Sequence, residues 1–232
     1  MAKKEESTAL ADVKAELEAR LKAQAAVRDQ MAGSNSYISF KGGHLTIDGT
    51  AVPSGEVEIL PLAIVFERTW YEGDYNPDKP QTPACYTFTA NFPHAEAGKP
   101  QNATCKGCPH DEWGSGPRGK GKACRESARL AVIAADADPL TASIYTAKIP
   151  ISSLGTVKDF IAYCGSNGKL TGQIVTKLKV APDAKTIFKV SMTPLRETAT
   201  DLLALLPRLD AAVEVANTPY PVFEEQVANT KY

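Results

Sequence analysis

Apolar residues recur at spacings of three and four through residues 9–31, as Leu10, Val13, Leu17, Leu21 and Ala25, while Glu16, Glu18, Arg20 and Lys22 occupy other faces. That period predicts an amphipathic helix, ended by Gly33-Ser34-Asn35-Ser36. Its stripe is narrow and Ala-rich, which suits docking on a domain, pairing with another chain or a loosely attached arm, and leaves a homo-oligomer open.

From Tyr37 onward the pattern becomes β. Residues 37–41, a Gly-Gly turn and residues 44–47 before Asp48-Gly49 read as a hairpin. Residues 57–71 form one long β-rich run, and further strands are predicted at 128–134, 144–149, 174–180 and 186–192. Leu154, Val157, Phe160 and Ile161 at helical spacing predict a helix over 152–163. A second is predicted over 199–216, interrupted at Pro207. Five to seven strands around at most one internal helix predict a mainly β (α+β) chain. A small closed or partly open antiparallel barrel suits this better than a βαβ sheet. The implied organisation is a helical arm at 1–35, a barrel at 36–194 with an insertion at 83–125, and a C-terminal helical and tail segment at 195–232.

Composition narrows the function. With 26 basic against 27 acidic residues, no global positive field draws the chain to nucleic acid, so such binding requires a local cluster. No apolar run approaches the roughly 18 residues of a membrane span. Nor does Met1-Ala2-Lys3-Lys4-Glu5-Glu6 lead into the apolar stretch of a signal peptide, so a cytoplasmic location is expected. Five cysteines, an odd number, then point to metal ligands or free thiols rather than a disulfide framework.

Four of them form the pattern C-x19-C-x2-C-x15-C: Cys85, Cys105, Cys108 and Cys124. Cys105-Lys106-Gly107-Cys108 has the form of a metal knuckle, and four thiolates complete the closed tetrahedral shell of a structural Zn2+. The intervening segment is rich in Pro, Gly and Asn and poor in large apolar residues, so a metal crosslink would supply order that burial cannot. An iron–sulfur cluster uses the same donors, and His94 and His110 are rival ligands. Cys164, at the end of a predicted helix, reads as a packed or free thiol. A four-cysteine shell leaves no open position, and Glu112 lacks the context of a deaminase or protease base.

Positive charge concentrates just before and after the last cysteine, in Arg118, Lys120, Lys122, Arg125 and Arg129, with one acid, Glu126, among them. Each such cation that neutralises a phosphate releases a counterion, though a Gly/Lys/Arg loop is also ordinary solvated surface. Residues 116–122 satisfy G-x-x-x-x-G-K. They are rejected as a phosphate-binding P-loop because Ala123 replaces the Ser/Thr and no strand–loop–helix context surrounds them. Aromatic residues neighbour cations at Phe40-Lys41, Arg68-Thr69-Trp70-Tyr71 and Tyr145-Thr146-Ala147-Lys148, and Trp113 lies inside the loop. Rings that stack on bases and cations that follow the backbone are how single strands are held without base-specific contacts.

The run Cys105-Lys106-Gly107-Cys108-Pro109, then Trp113-Gly114-Ser115, Gly119-Lys120-Gly121-Lys122-Ala123-Cys124 and Ala128-Arg129-Leu130-Ala131-Val132, resembles tailed-bacteriophage single-stranded DNA-binding replication proteins. Their pattern is CxxCP…WGS…GKGKxC…RRLxV, preceded by a Pro-x-Cys like Pro83-Ala84-Cys85. The resemblance is specific over residues 83–132 and implies an OB-fold-like barrel with a metal-binding insertion, similar to the T4-type helix-destabilising protein. It implies that the four cysteines hold the metal, that Lys120, Lys122, Arg125 and Arg129 lie near the DNA, and that the protein works in replication and recombination in the host cytoplasm. Two features depart from the pattern. Arg-Arg is Ala128-Arg129 here, and the tail of 222–232 is only mildly acidic where such proteins often carry a strongly acidic tail that recruits replication partners. Residues 195–232 balance at −3 against +2 for the rest, which fits a partner or autoinhibitory tail.

The expected function is binding rather than turnover. The competing enzyme reading is a metal-dependent nuclease or iron–sulfur DNA-processing protein. It would need clustered carboxylates, for which Asp136 with Asp138 is the best pair, with Asp111 and Glu112 in the loop. A third reading is a zinc-stabilised adaptor.

Overall fold

The computed structural model describes residues 36–73 and 81–221, with Glu16, Leu17 and Arg20 of the N-terminal stretch. The predicted arm therefore lies almost wholly outside the described residues, although those three are helical and Arg20 pairs with Glu16 one turn away. The tail at 222–232 lies outside them too. No helix among the described residues is long and apolar enough to cross a membrane.

From Tyr37 the chain is mainly β and builds one curled, open half-barrel sheet. The strands are β1 (Tyr37–Ser39), β2 (Thr46–Ile47), β3 (Thr50–Ala51), β4 (Glu56–Trp70), β5 (Cys85–Thr87), β6 (Arg125–Ala134) and β7 (Tyr145–Pro150). Helix α1 (Leu154–Ser166) follows, then β8 (Ile174–Asp183), β9 (Ile187–Glu197) and helix α2 (Leu202–Ala216). The order across the sheet is β3-β2-β1-β7-β6-β4-β8-β9, with β5 pairing β4. Pairing is antiparallel throughout except β1 with β7, which run parallel, against the expectation of a wholly antiparallel sheet.

β4 is the pivot. Its first residues pair β8, its last three pair β5, and Ile59 to Thr69 pair β6. The ladder shifts register at Pro61, which has no N–H to donate, and pairing with β8 has ended by then. A bulge bends and twists a strand, so a proline here curls the sheet. Pro194 does the same in β9, opposite the irregularity at Val175 and Thr176.

Alternation sends the two faces of the sheet into two cores. Ile59, Ala128, Leu130, Val132 and Ile149 pack with Val157, Phe160 and Cys164 of α1, so Cys164 is a buried free thiol. Leu60, Ala63, Ala131 and Ile133 pack under Leu205, Ala212 and Ala216 of α2 on the other face. Phe40 belongs to the first core at 4% exposure, which corrects its expected place on a stacking surface: it falls two residues after inward-facing Ile38. α2 runs through Pro207 without the expected interruption. Leu203, whose carbonyl would otherwise accept from position 207, is exposed with Pro207, so the freed acceptor stays in water.

The half-barrel leaves β9 as an edge, and the first turns after β7 blunt it. The Val190 N–H donates to Ser153 Oγ at 2.8 Å, the Met192 N–H to Thr156 Oγ1 at 2.8 Å, and Pro194 has no N–H to expose. Side chains thus occupy donors that an edge strand offers to another chain.

Candidate metal centre and nucleic-acid interface

The insertion between β5 and β6 is held by turns and point contacts rather than by a core. Lys99 N–H donates to the Ala84 carbonyl at 2.7 Å, Cys105 N–H to Asn91 at 2.8 Å and Cys124 N–H to His110 at 2.8 Å. Ser115 is its internal brace. Its hydroxyl donates to the His110 and Glu112 carbonyls and accepts from the Ala123 N–H. Gly107, inside the knuckle, sits at φ +76°, a conformation that favours glycine. The Gly116 backbone lies so close to the returning strand that an added Cβ would stand 2.2 Å from the Lys120 carbonyl oxygen. Gly116→Ala is therefore expected to splay the loop and expose the bonds between Lys120 and Lys122 to protease while leaving the β circular-dichroism signal unchanged. The N–H groups of Gly114, Gly116, Gly119 and Lys120 all donate to carbonyls within the loop. They form no phosphate cradle, and no helix follows the G-x-x-x-x-G-K match.

Cys85, Cys105, Cys108 and Cys124 all line one pocket, whose wall also carries Arg68 and Trp70. All four are free thiols. Burial, first, and neighbouring cysteines raise the thiols of Cys85, Cys105 and Cys124, the last to about 12, while the Arg68 charge works against that rise at Cys105 and Cys124. Together with Cys108, these residues are the candidate donors of a four-thiolate site. As they stand, no three His, Cys, Asp or Glu groups among the described residues converge closely enough to hold an ion. Both rival histidines have partners, and His110 lines the same pocket as the cysteines. His110 stacks on Trp70 at 4.5 Å with Nε2 3.0 Å from Gln101 Oε1, and His94 stacks on Tyr86 while its Nδ1 accepts from the Glu96 N–H. Four cysteines and His110 thus line one pocket, a lining whose chemistry suits a thiolate-rich metal centre.

Cross-strand register divides the remaining predicted residues between two faces, because directly opposed residues share a side. Arg68, Trp70, Cys85 and Glu126 share the face that carries the cysteine pocket. Arg68 donates to Asp111 Oδ2 and Glu126 Oε1, each at 3.0 Å, and Lys122 Nζ donates to Asp111 Oδ1 at 2.9 Å. These two cations are tied to acids of the insertion and β6. They hold the loop to the sheet.

The other face holds Glu67, fully buried, which neither composition nor motif flagged. Arg129 Nη2 and Lys148 Nζ each lie 2.7 Å from its carboxylate, Ser127 donates to it at 2.8 Å, and the Tyr220 hydroxyl donates at 2.6 Å. Burial pushes the Glu67 carboxyl up, but the Lys148 and Arg129 charges and the hydrogen bonds from Lys148 and Tyr220 outweigh it and hold the acid below its ordinary range. Arg129 lies over the rings of Phe88 and Tyr220 and donates to the Ala216 and Thr218 carbonyls, so it anchors the segment after α2. Tyr71 belongs beside this group. Burial raises its phenol, which also feels Lys148, Tyr220, Glu67 and Arg125.

Tyr145 is half-buried against the α1 core. Lys41 is exposed in the turn after β1. Trp113, by contrast, is 84% exposed within the insertion. Arg118, Lys120 and Arg125 are exposed and make no ion pair among the described residues. Asp138, one of the Asp136–Asp138 pair offered for a nuclease, accepts from the Leu140 N–H and the Thr141 hydroxyl and so caps a turn. Tyr220 was invisible to motif reading, and Ser115 entered only as part of the Trp113-Gly114-Ser115 motif, without its bracing role. Glu67 carried one signal, a lone acid between Val65 and Thr69 on an alternating strand. No protein-family model, no curated protein and no solved structure matches this chain.

Proposed function

We propose that the protein is a sequence-independent single-stranded DNA-binding protein of phage replication and recombination. A structural Zn2+ held by Cys85, Cys105, Cys108 and Cys124 would order its insertion. The observation that carries this reading is the pairing of two features on one segment. Four free cysteines line a single pocket, and the same segment carries an exposed tryptophan and exposed cations that make no ion pair among the described residues. The phage assignment itself rests on the motif resemblance of residues 83–132 alone.

Charge pairing refines which residues touch DNA. Arg68, Arg129 and Lys148 spend their charge on buried or half-buried acids, and Lys122 on Asp111. Arg118, Lys120 and Arg125 remain to follow phosphates, with Trp113 to stack on a base. Lys41, Tyr71 and Tyr145 contribute only where the strand path reaches the sheet. Partners of the C-terminal tail are part of the same proposal.

Fluorescence anisotropy with oligo(dT) and with duplex DNA over a salt series tests it. The single strand is expected to bind more tightly. Replacing Arg118 and Lys120 together by alanine should flatten the log–log salt slope by about 1.4, since each phosphate contact on a single strand contributes about 0.7. Trp113→Ala should cost about 1–3 kcal/mol, the range for one base stacked on an aromatic side chain. Equal affinity for both DNAs, or none at low salt, would defeat the proposal.

A further inference from the structure

Arg68 stands out among the buried polar groups. Its Nη1 and Nη2 are satisfied by Asp111 and Glu126, and the guanidinium lies 5.5 Å from the Phe66 ring centre. Its Nε–H is fully buried and has no hydrogen-bond partner among the described residues, the sulfurs as they stand included. A buried donor left unpaired is costly, and guanidinium offers five donors in a rigid fork, so an orphan at Nε calls for an acceptor. The pocket beside it is lined by four sulfurs, and Trp70, two residues along the same face, pairs directly with Cys85.

We infer that Arg68 is the positioning residue of the metal centre, donating its Nε–H to a metal-bound cysteine sulfur while its fork holds Asp111 of the insertion and Glu126 of β6. Outer partners that donate to or accept from metal ligands fix ligand orientation and tune the centre. This role needs the arginine shape. Lysine would keep the charge but cannot reach two carboxylates and a sulfur at once. It also takes Arg68 out of the DNA-contacting set in which the sequence places it. The inference rests on the cysteine-bound metal of the preceding reading and adds the group that orients it.

The test uses the full-length protein loaded with 113Cd2+, after metal content has been measured. A proton–cadmium correlation through the N–H···S bond is expected at one arginine Nε–H, and Arg68→Lys should abolish that signal. In the zinc-loaded protein the same substitution should weaken zinc binding by about 10- to 100-fold in a chelator competition, the usual cost of removing such a partner. Absence of bound metal would overturn the metal centre itself, and this inference with it. Stoichiometric metal with no coupled arginine Nε–H in the wild-type protein would overturn the inference alone. The wild-type spectrum decides the matter even where Arg68→Lys fails to fold.

Discussion

Replacing Cys108 by serine, or treating the protein with a strong chelator, is expected to release one equivalent of zinc and open the insertion while leaving the sheet folded. Cys108 is the most buried of the four cysteines and sits at the end of the knuckle, where Asp111 N–H donates to its carbonyl. The insertion brings little apolar surface of its own. Ala97 is its only fully buried hydrophobic residue between Phe88 and Cys108, packed with Tyr86 and Phe88. Structural zinc contributes about 10–16 kcal/mol in small peptides, far more than such a segment obtains from burial. Meanwhile β4, β6 and β7 keep both their cores, which include none of the four pocket cysteines.

The expected readouts are therefore selective. Far-ultraviolet circular dichroism is retained, trypsin cuts at Lys106, Arg118 and Lys120, and affinity for oligo(dT) falls because Trp113, Arg118 and Lys120 lose their common platform. An insertion that stays protease-resistant in metal-free protein would show that Arg68, Asp111 and Lys122 suffice to hold it. Purified protein carrying iron and sulfide in place of zinc would assign the same four ligands to a cluster.

The elements were legible in the chain wherever one physical pattern dominated. Alternation in residues 57–71 places β4 within a residue of its observed ends, and the helical spacing of Leu154, Val157 and Phe160 places α1. Topology was less legible. Nothing local specifies that β1 pairs β7 in parallel, because that register is set by contacts more than a hundred residues apart in sequence. The four cysteines could be grouped from spacing, and they do line one pocket. The cations could be found but not sorted. Arg68 and Arg118 look alike in sequence, yet one pairs with Asp111 of the insertion and Glu126 of β6 while the other has no ion pair among the described residues, and only tertiary pairing separates them. Tyr220 was beyond reach for the same reason, since its partner Glu67 lies 153 residues earlier.

Glu67→Gln is expected to be the most damaging single substitution in the β framework, although the change in volume is small. The carboxylate is fully buried and faces two cations, one of them, Arg129, with a side chain only 12% exposed. Glutamine cannot neutralise that guanidinium, and a buried pair broken on one side costs about 3–5 kcal/mol. For a chain of this size that corresponds to a fall of roughly 6–20 °C in melting temperature. The loss should also loosen the chain after α2, because Tyr220 donates to Glu67 and Arg129 donates to the Ala216 and Thr218 carbonyls. Hydrogen exchange should therefore quicken over residues 216–221 as well as at β6. Adding Arg129→Met to Glu67→Gln should recover part of the stability, since the orphaned charge is then gone, so the two substitutions should fall short of additivity. The pH dependence has a fixed sign. The folded-state carboxyl is held below its ordinary value of 4.5, so its contribution is present in full above that pH and is lost as pH falls through the lower folded value. Wild-type protein should lose stability on acidification below about pH 4.5 more steeply than Glu67→Gln, as measured by urea unfolding at a series of pH values. Parallel curves for the two proteins would mean that Glu67 is not ionised in the native state and that Arg129 finds its counter-charge elsewhere.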